Sequence, residues 1–223
     1  GIPNIGGDIV FNPTFDENCL VNVGAVGLVR KDDKIPNKIP ENRKEPYKII
    51  VVGKPTDNSG FGGAAFASRA LDRTAEDRGA VQVAEPFLKE VLLEAERDVV
   101  TQIRERGYHV SQVARKDFGG GGFYCFSSEV ASGANGTDSE LTNINLAMEG
   151  LPPHVIGGAE TQERYGWVVP ESLVPDILRI YNEHWALPEV YEGARAVVVG
   201  GVREDGRYVL RHNGEVVCDL PVE

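Results

Sequence analysis

The sequence predicts an α/β (α+β) fold, a mixed sheet with helices packed on it, preceded by a piece of another domain. Three observations predict it. Short apolar runs rich in β-branched residues, such as YKIIVVG at Tyr47–Gly53, recur along the chain. The stretch opened by Glu85 and Pro86 repeats its apolar residues at helical spacing as far as Gly107. Between the opening residues and the rest lies KDDKIPNKIPENRKEP (31–46), charged and carrying three prolines. These divide the chain into 1–33, the end of a first domain, 34–46, a connector, and 47–223, the principal domain. A length of 223 residues suits one full domain with additional material.

Taken in order, LVNVGAVGLVR (20–30) reads as a buried strand, and YKIIVVG as a second strand after the connector. KPTDNSGFGG (54–63) is a loop dense in turn residues, and 64–71 begins a short helix. The long helix starts at Pro86, with Phe87, Val91, Ala95, Val99 and Ile103 spaced four apart on one face, and Gly107 ends it. HVSQVA (109–114) reads as a strand running into KDFGGGGFY (116–124), and FYCFSSEVA (123–131) as the following helix. Residues 137–146 alternate as a strand would, YGWVV (165–169) is another, and 170–172 introduce a helix using Leu173, Ile177, Leu178 and Tyr181. Arg195–Arg203 and 208–220 finish as strands around the turn Glu204, Asp205, Gly206.

Composition excludes several classes of partner. The 34 acidic residues against 23 basic ones give a net charge of −11, which repels a nucleic-acid backbone, and no basic cluster offsets it. A small phosphorylated ligand stays compatible, since backbone N–H groups and a bound cation act locally. No apolar run approaches the roughly 18–20 residues of a membrane span. Cys19, Cys125 and Cys218 are odd in number and widely spaced, without CxxC, so reduced and mostly buried thiols in a cytoplasmic protein are expected. The first residue is Gly1, and GIPNIGG resembles the interior of a domain; a fragment is expected.

Four consecutive glycines between a strand and a helix serve either of two ends. They expose backbone N–H groups to a phosphate, or they permit a tight crossing of chain segments. The run has neither the GK[ST] ending nor the G-x-G-x-x-G spacing of the common nucleotide loops. Asp117 beside it is either a surface charge or turn former, or a single carboxylate, enough for Mg²⁺ only with water and phosphate oxygens completing the shell. Gln82, in the apolar run AVQV, is expected to be a buried amide that must find partners in the protein or in a ligand. Glu160, Thr161 and Gln162 bring three hydrogen-bonding side chains together after Gly157 and Gly158, as an ordinary loop also could. The four histidines have no metal spacing and no GxSxG elbow occurs, so no catalytic residue is assigned.

Several segments in one order carry a resemblance: GIPNIGGDIVFNPTFDENCLVNVGAVGLV, GFGGAAFAS, AVQVAEPF, KDFGGGGFYCFSSEVA, ETQER and NGEVVCDLPVE. Together they resemble the phosphoribosylformylglycinamidine synthase family, within the aminoimidazole ribonucleotide synthetase-like superfamily. The resemblance implies that superfamily's carboxy-terminal-type domain, preceded by the end of an amino-terminal-type domain. It implies an ATP-dependent carbon–nitrogen ligase of purine biosynthesis that converts formylglycinamide ribonucleotide to its amidine with glutamine-derived ammonia. By motif, Gln82, Glu160, Thr161 and Gln162 correspond to substrate-binding residues and Asp117 to a Mg²⁺ ligand, with ATP as co-substrate. A glutaminase subunit or domain and the missing synthetase domains are the implied partners. The catalytic histidine of the family lies upstream of such a segment, so the chain alone is expected to be inactive. Three departures stand out: Thr161 replaces the usual serine, Ala84 and Glu85 stand where Gly-Asp is common, and Arg115 and Lys116 put two cations before Asp117. Another ATP-using superfamily member, or a non-catalytic assembly or regulatory domain, is the alternative.

Overall fold

The computed structural model describes residues 3–17, 19–66, 79–131 and 135–222. Its main elements are β1 (Tyr47–Gly53), α1 (Pro86–Glu105), β2 (Ala114–Asp117), α2 (Gly122–Val130), β3 (Gly136–Glu140), α3 (Pro153–Gly158), β4 (Arg164–Pro170), α4 (Val174–Arg179), β5 (Arg195–Arg203), β6 (Arg207–His212) and β7 (Glu215–Pro221). The strands form one mixed sheet in the order β2-β4-β1-β5-β3-β6-β7. Only the β3–β6 pair among them is parallel.

Helices cover both faces, which explains the unbroken apolar run of β1. Ile50 and Val52 face α1 and α4 with Leu92, Ala95, Val99, Trp167 and Ile177. Ile49 and Val51 face α2 with Phe123, Phe126 and Val130. Pairing then sets where the loops meet. Because β4 runs antiparallel to both β1 and β2, its first residues lie beside the last residues of each, with Arg164 opposite Gly53 and Tyr165 opposite Asp117. The loops after β1 and β2 and the loop before β4 therefore share one end of the sheet.

The structure corrects several sequence expectations. Residues 20–30 pair with no strand; Val23, Val26 and Leu28 are at least nine-tenths exposed. A β-branched pattern records the capacity to pair, and among the described residues no neighbouring strand is available to it. The proposed strand at 109–114 is a 3₁₀ turn at Val110–Gln112, capped by the His109 ring accepting from the Ser111 N–H; the strand comes later and contains Asp117 itself. The strand at 137–146 stops at Glu140, whose carboxylate accepts from the Thr142 N–H to open another 3₁₀ turn. The 208–220 stretch is a hairpin divided at Asn213 and Gly214, both with positive φ. The helix introduced by 170–172 begins as a 3₁₀ turn, continues as α4 and closes as a π turn, burying Leu173, Ile177 and Tyr181.

In α1 the buried stripe is Leu88, Leu92, Ala95, Val99 and Ile103, and Phe87 faces outward. The one-turn helix Gly63–Phe66 matches the start expected at Ala64, and the remainder of that expectation lies outside the described residues. The cysteines are free but not mostly buried: Cys19 is exposed and the other two are half-buried. The connector is strapped down, with Ile39 buried and the Pro36 carbonyl accepting from the Arg115 N–H. Among the described residues no helix is long and apolar enough to cross a membrane.

Candidate functional site

At the shared end of the sheet lies a polar pocket of about 370 Å³. Gln82, Asp117, Glu160, Thr161 and Gln162 all line it. The five positions singled out in the sequence thus converge from three separate segments.

Glu160, buried in the loop before β4, organises the pocket. Its Oε1 accepts from the Ala64 N–H at 3.2 Å and the Gly121 N–H at 3.0 Å, and its Oε2 accepts from Gln82 Nε2 at 2.7 Å. Gln82 was expected to be a buried amide; it is exposed, because residues 81–83 run unpaired along the surface after the buried Ala80, yet both its polar atoms are engaged. Its Oε1 accepts from Gln162 Nε2. The three side chains form a directed relay from Gln162 through Gln82 to the carboxylate.

Thr161 is buried and turns the other way, its Oγ1 donating to Asp57 Oδ1 at 2.9 Å. Burial is the largest influence on Asp57 and raises its pKa. Donation from the Ser59 side chain and N–H and from Thr161, with the charge of Lys54, outweighs it and leaves the carboxyl below its usual range. Thr161 therefore supports the loop from beneath.

The glycine run is a crossing. Gly122 has φ +61°, and a Cβ there would sit 2.3 Å from the Ala159 carbonyl oxygen. Close approach of α2 to the loop before β4 is what delivers the Gly121 N–H to Glu160. Gly119 and Gly120 line the pocket wall, so the run also leaves bare backbone facing the pocket.

Asp117, the last residue of β2, has a side chain 70% exposed. Lys116 Nζ lies 3.7 Å from its Oδ1 and 3.1 Å from Glu129 Oε2 on α2. Burial, the largest influence, lowers the Lys116 pKa, but Glu129 and Asp117 together raise it above the ordinary value. Arg115 projects to the opposite face, bonding Glu96 on α1 at 2.7 Å and stacking 4.3 Å from the centre of the Tyr165 ring. The two cations before Asp117 thus tie β2 to a helix on each face. Among the described residues no group of three or more histidine, cysteine or acidic side chains could hold a metal. An exposed single carboxylate fits only an ion whose other ligands come from water and a bound phosphate.

Arg164 and Lys89 also line the pocket and were not singled out. Arg164 was legible as a charge heading an apolar strand, YGWVV. Lys89 pairs with Glu163 at 3.5 Å and looks in sequence like any helix-surface lysine.

Comparison with known proteins agrees with this architecture. The model of the AIR synthase related protein C-terminal domain matches residues 47–213. The whole chain is 48% identical to the phosphoribosylformylglycinamidine synthase subunit PurL of Methanothrix thermoacetophila, of which it covers 29%. Among solved structures it is similar to T. maritima PurL complexed with FGAR, with a TM-score of 0.70 and 27% identity over 87% of this chain and 29% of that one. T. maritima PurL complexed with ATP gives a TM-score of 0.63 at 25% identity, covering 87% and 27%. The PurLQS structure from Thermotoga maritima gives 0.63 at 25%, covering 87% and 28%. The chain spans less than a third of the length of these relatives. A family model that accounts for most of its residues, and a fold that follows the same plan, place the chain in the AIR synthase related protein family.

Proposed function

We propose that the chain is the substrate-side part of an ATP-dependent ligase that converts formylglycinamide ribonucleotide to the amidine with ammonia from a glutaminase partner. The observation carrying this reading is the pair of amides, Gln82 and Gln162, set in one pocket and ordered by a buried carboxylate. Each secondary amide of that substrate presents one N–H and one carbonyl, the same complement that the two glutamines offer each other. Gln82 Oε1, fixed as an acceptor because its Nε2 is bound to Glu160, would take the ligand N–H. Gln162 Nε2 would turn to the ligand carbonyl. Similarity to a PurL complexed with FGAR and to another complexed with ATP supports this assignment.

Asp117 is proposed as the one carboxylate given to Mg²⁺ on the nucleotide. When bound, such an ion offsets negative charge on a transferring phosphoryl group. Residues 1–33 are proposed to end an amino-terminal-type domain, 34–46 to connect it, and 47–223 to form the carboxy-terminal-type domain. The exposed apolar side chains of 3–30 support that division. The remaining synthetase domains and the glutaminase complete the assembly, and the chain alone is inactive.

Calorimetry tests this. Titration of formylglycinamide ribonucleotide with Mg²⁺ into the chain is expected to give a heat of binding that Gln82→Ala abolishes. A flat titration of the unaltered chain, or binding indifferent to Gln82→Ala, contradicts it.

A further inference from the structure

Arg164 is 7% exposed, and among the described residues no carboxylate lies within ion-pair distance of it. Its guanidinium spends its donors on neutral oxygens. Nε donates to the Thr161 carbonyl at 2.9 Å, Nη2 to the Ala159 carbonyl at 2.5 Å, and Nη1 to Thr56 Oγ1 at 2.5 Å. The Phe118 ring centre lies 5.0 Å from its Cζ. Burial lowers its pKa to about 10, which still leaves it charged at neutral pH.

A buried cation with no carboxylate in contact, only the charge of Asp57 acting on it from beyond ion-pair distance, is a poor stabilising device, since an apolar side chain of similar size avoids the loss of hydration. The arrangement of the acceptors suggests what it does. The two carbonyls belong to the residues on either side of Glu160, so bonding both holds the peptide that enters Glu160 and the peptide that leaves Thr161, clamping the short segment that carries the Glu160 side chain. Thr56 lies on the loop after β1 and Phe118 at the start of the glycine loop, so one planar group ties the pocket-lining segments at 117–120 and 160–164 to the loop after β1 behind them.

We propose that Arg164 is the positioning residue of this pocket, setting the Glu160 carboxylate and, through it, Gln82 and the Gly121 backbone. The identity of the ligand rests on the function proposed above; the positioning of Glu160 does not.

The test uses ¹⁵N-labelled chain carrying Arg164→Lys, which keeps the charge without the planar fork, and Arg164→Met, which keeps the bulk. In both, the Gly121 and Ala64 amides are expected to exchange with solvent at least about tenfold faster, while amides of β5–β7 are unchanged. Affinity for formylglycinamide ribonucleotide is expected to fall about tenfold or more. Folded variants whose Gly121 and Ala64 amides exchange as in the unaltered chain overturn the proposal. So does the unfolding of both variants, which would make Arg164 a residue of core stability. If the unaltered chain binds no ligand while the two amides respond, the function proposed above fails and the positioning role stands.

Discussion

Glu160 shows how a single carboxylate joins segments that the sequence keeps far apart. Its three donors come from Ala64, Gln82 and Gly121, which are 96, 78 and 39 residues away. All three are N–H groups, so both oxygens of the side chain must act as acceptors. Glu160→Gln is therefore expected to destabilise the chain by about 1–3 kcal/mol, because one donor must face an amide N–H₂. Urea unfolding measures this, and a change within error would mean that these hydrogen bonds contribute nothing. The sequence marked Gln82 and 160–162 as hydrogen-bonding side chains in need of partners. It could not show that they partner one another, since that depends on three loops meeting at one end of a sheet. Asp57 and Arg164 escaped notice for the same reason: each looks like an ordinary loop or strand-end charge until Thr161 and Ala159 are placed beside it.

At the scale of elements, the run KDFGGGG separates into parts with different tasks. Gly119 has φ +57°, and a Cβ there would meet its nearest neighbours at 3.5 and 3.6 Å, ordinary contacts. Gly119→Ala is expected to cost about 1–2 kcal/mol, the strain of a left-handed residue. Gly122→Ala adds the collision with the Ala159 carbonyl and is expected to cost at least about 2 kcal/mol more. Thermal unfolding of the pair checks the order, and equal losses would contradict the crossing. Strands β1, β4 and β5 and helix α1 were legible because long apolar runs and a four-residue repeat survive any tertiary context. Phe87 shows the limit. Its spacing of four matched the buried stripe, but at 3.6 residues per turn a row spaced four apart drifts around the helix, and the first turn buries Leu88 instead. Arg115 and Lys116, unexplained by motif, become intelligible once β2 is seen to lie between Glu96 on α1 and Glu129 on α2.

For the whole molecule, topology does the assembling. An antiparallel β4 between β1 and β2 is enough to bring 54–63, 117–122 and 160–164 to one place. Fold class was readable from the mixture of strand and helix patterns. The unpaired course of 20–30 was not, because apolar alternation does not say which segment will cover it. The same exposed stretch, together with a span of less than a third of its relatives, is why turnover is proposed for an assembled protein and only ligand recognition is proposed for this pocket.

That recognition is best tested by mapping amide shifts of the ¹⁵N-labelled chain against millimolar formylglycinamide ribonucleotide. The account predicts shifts at Ala64, Gly119, Gly120, Gly121 and 160–162, with movement of the Gln82 and Gln162 side-chain amides. Saturating ligand that leaves these signals in place, or moves only the apolar groove of Tyr124, His154 and Cys218 on the far side of α2, would contradict it.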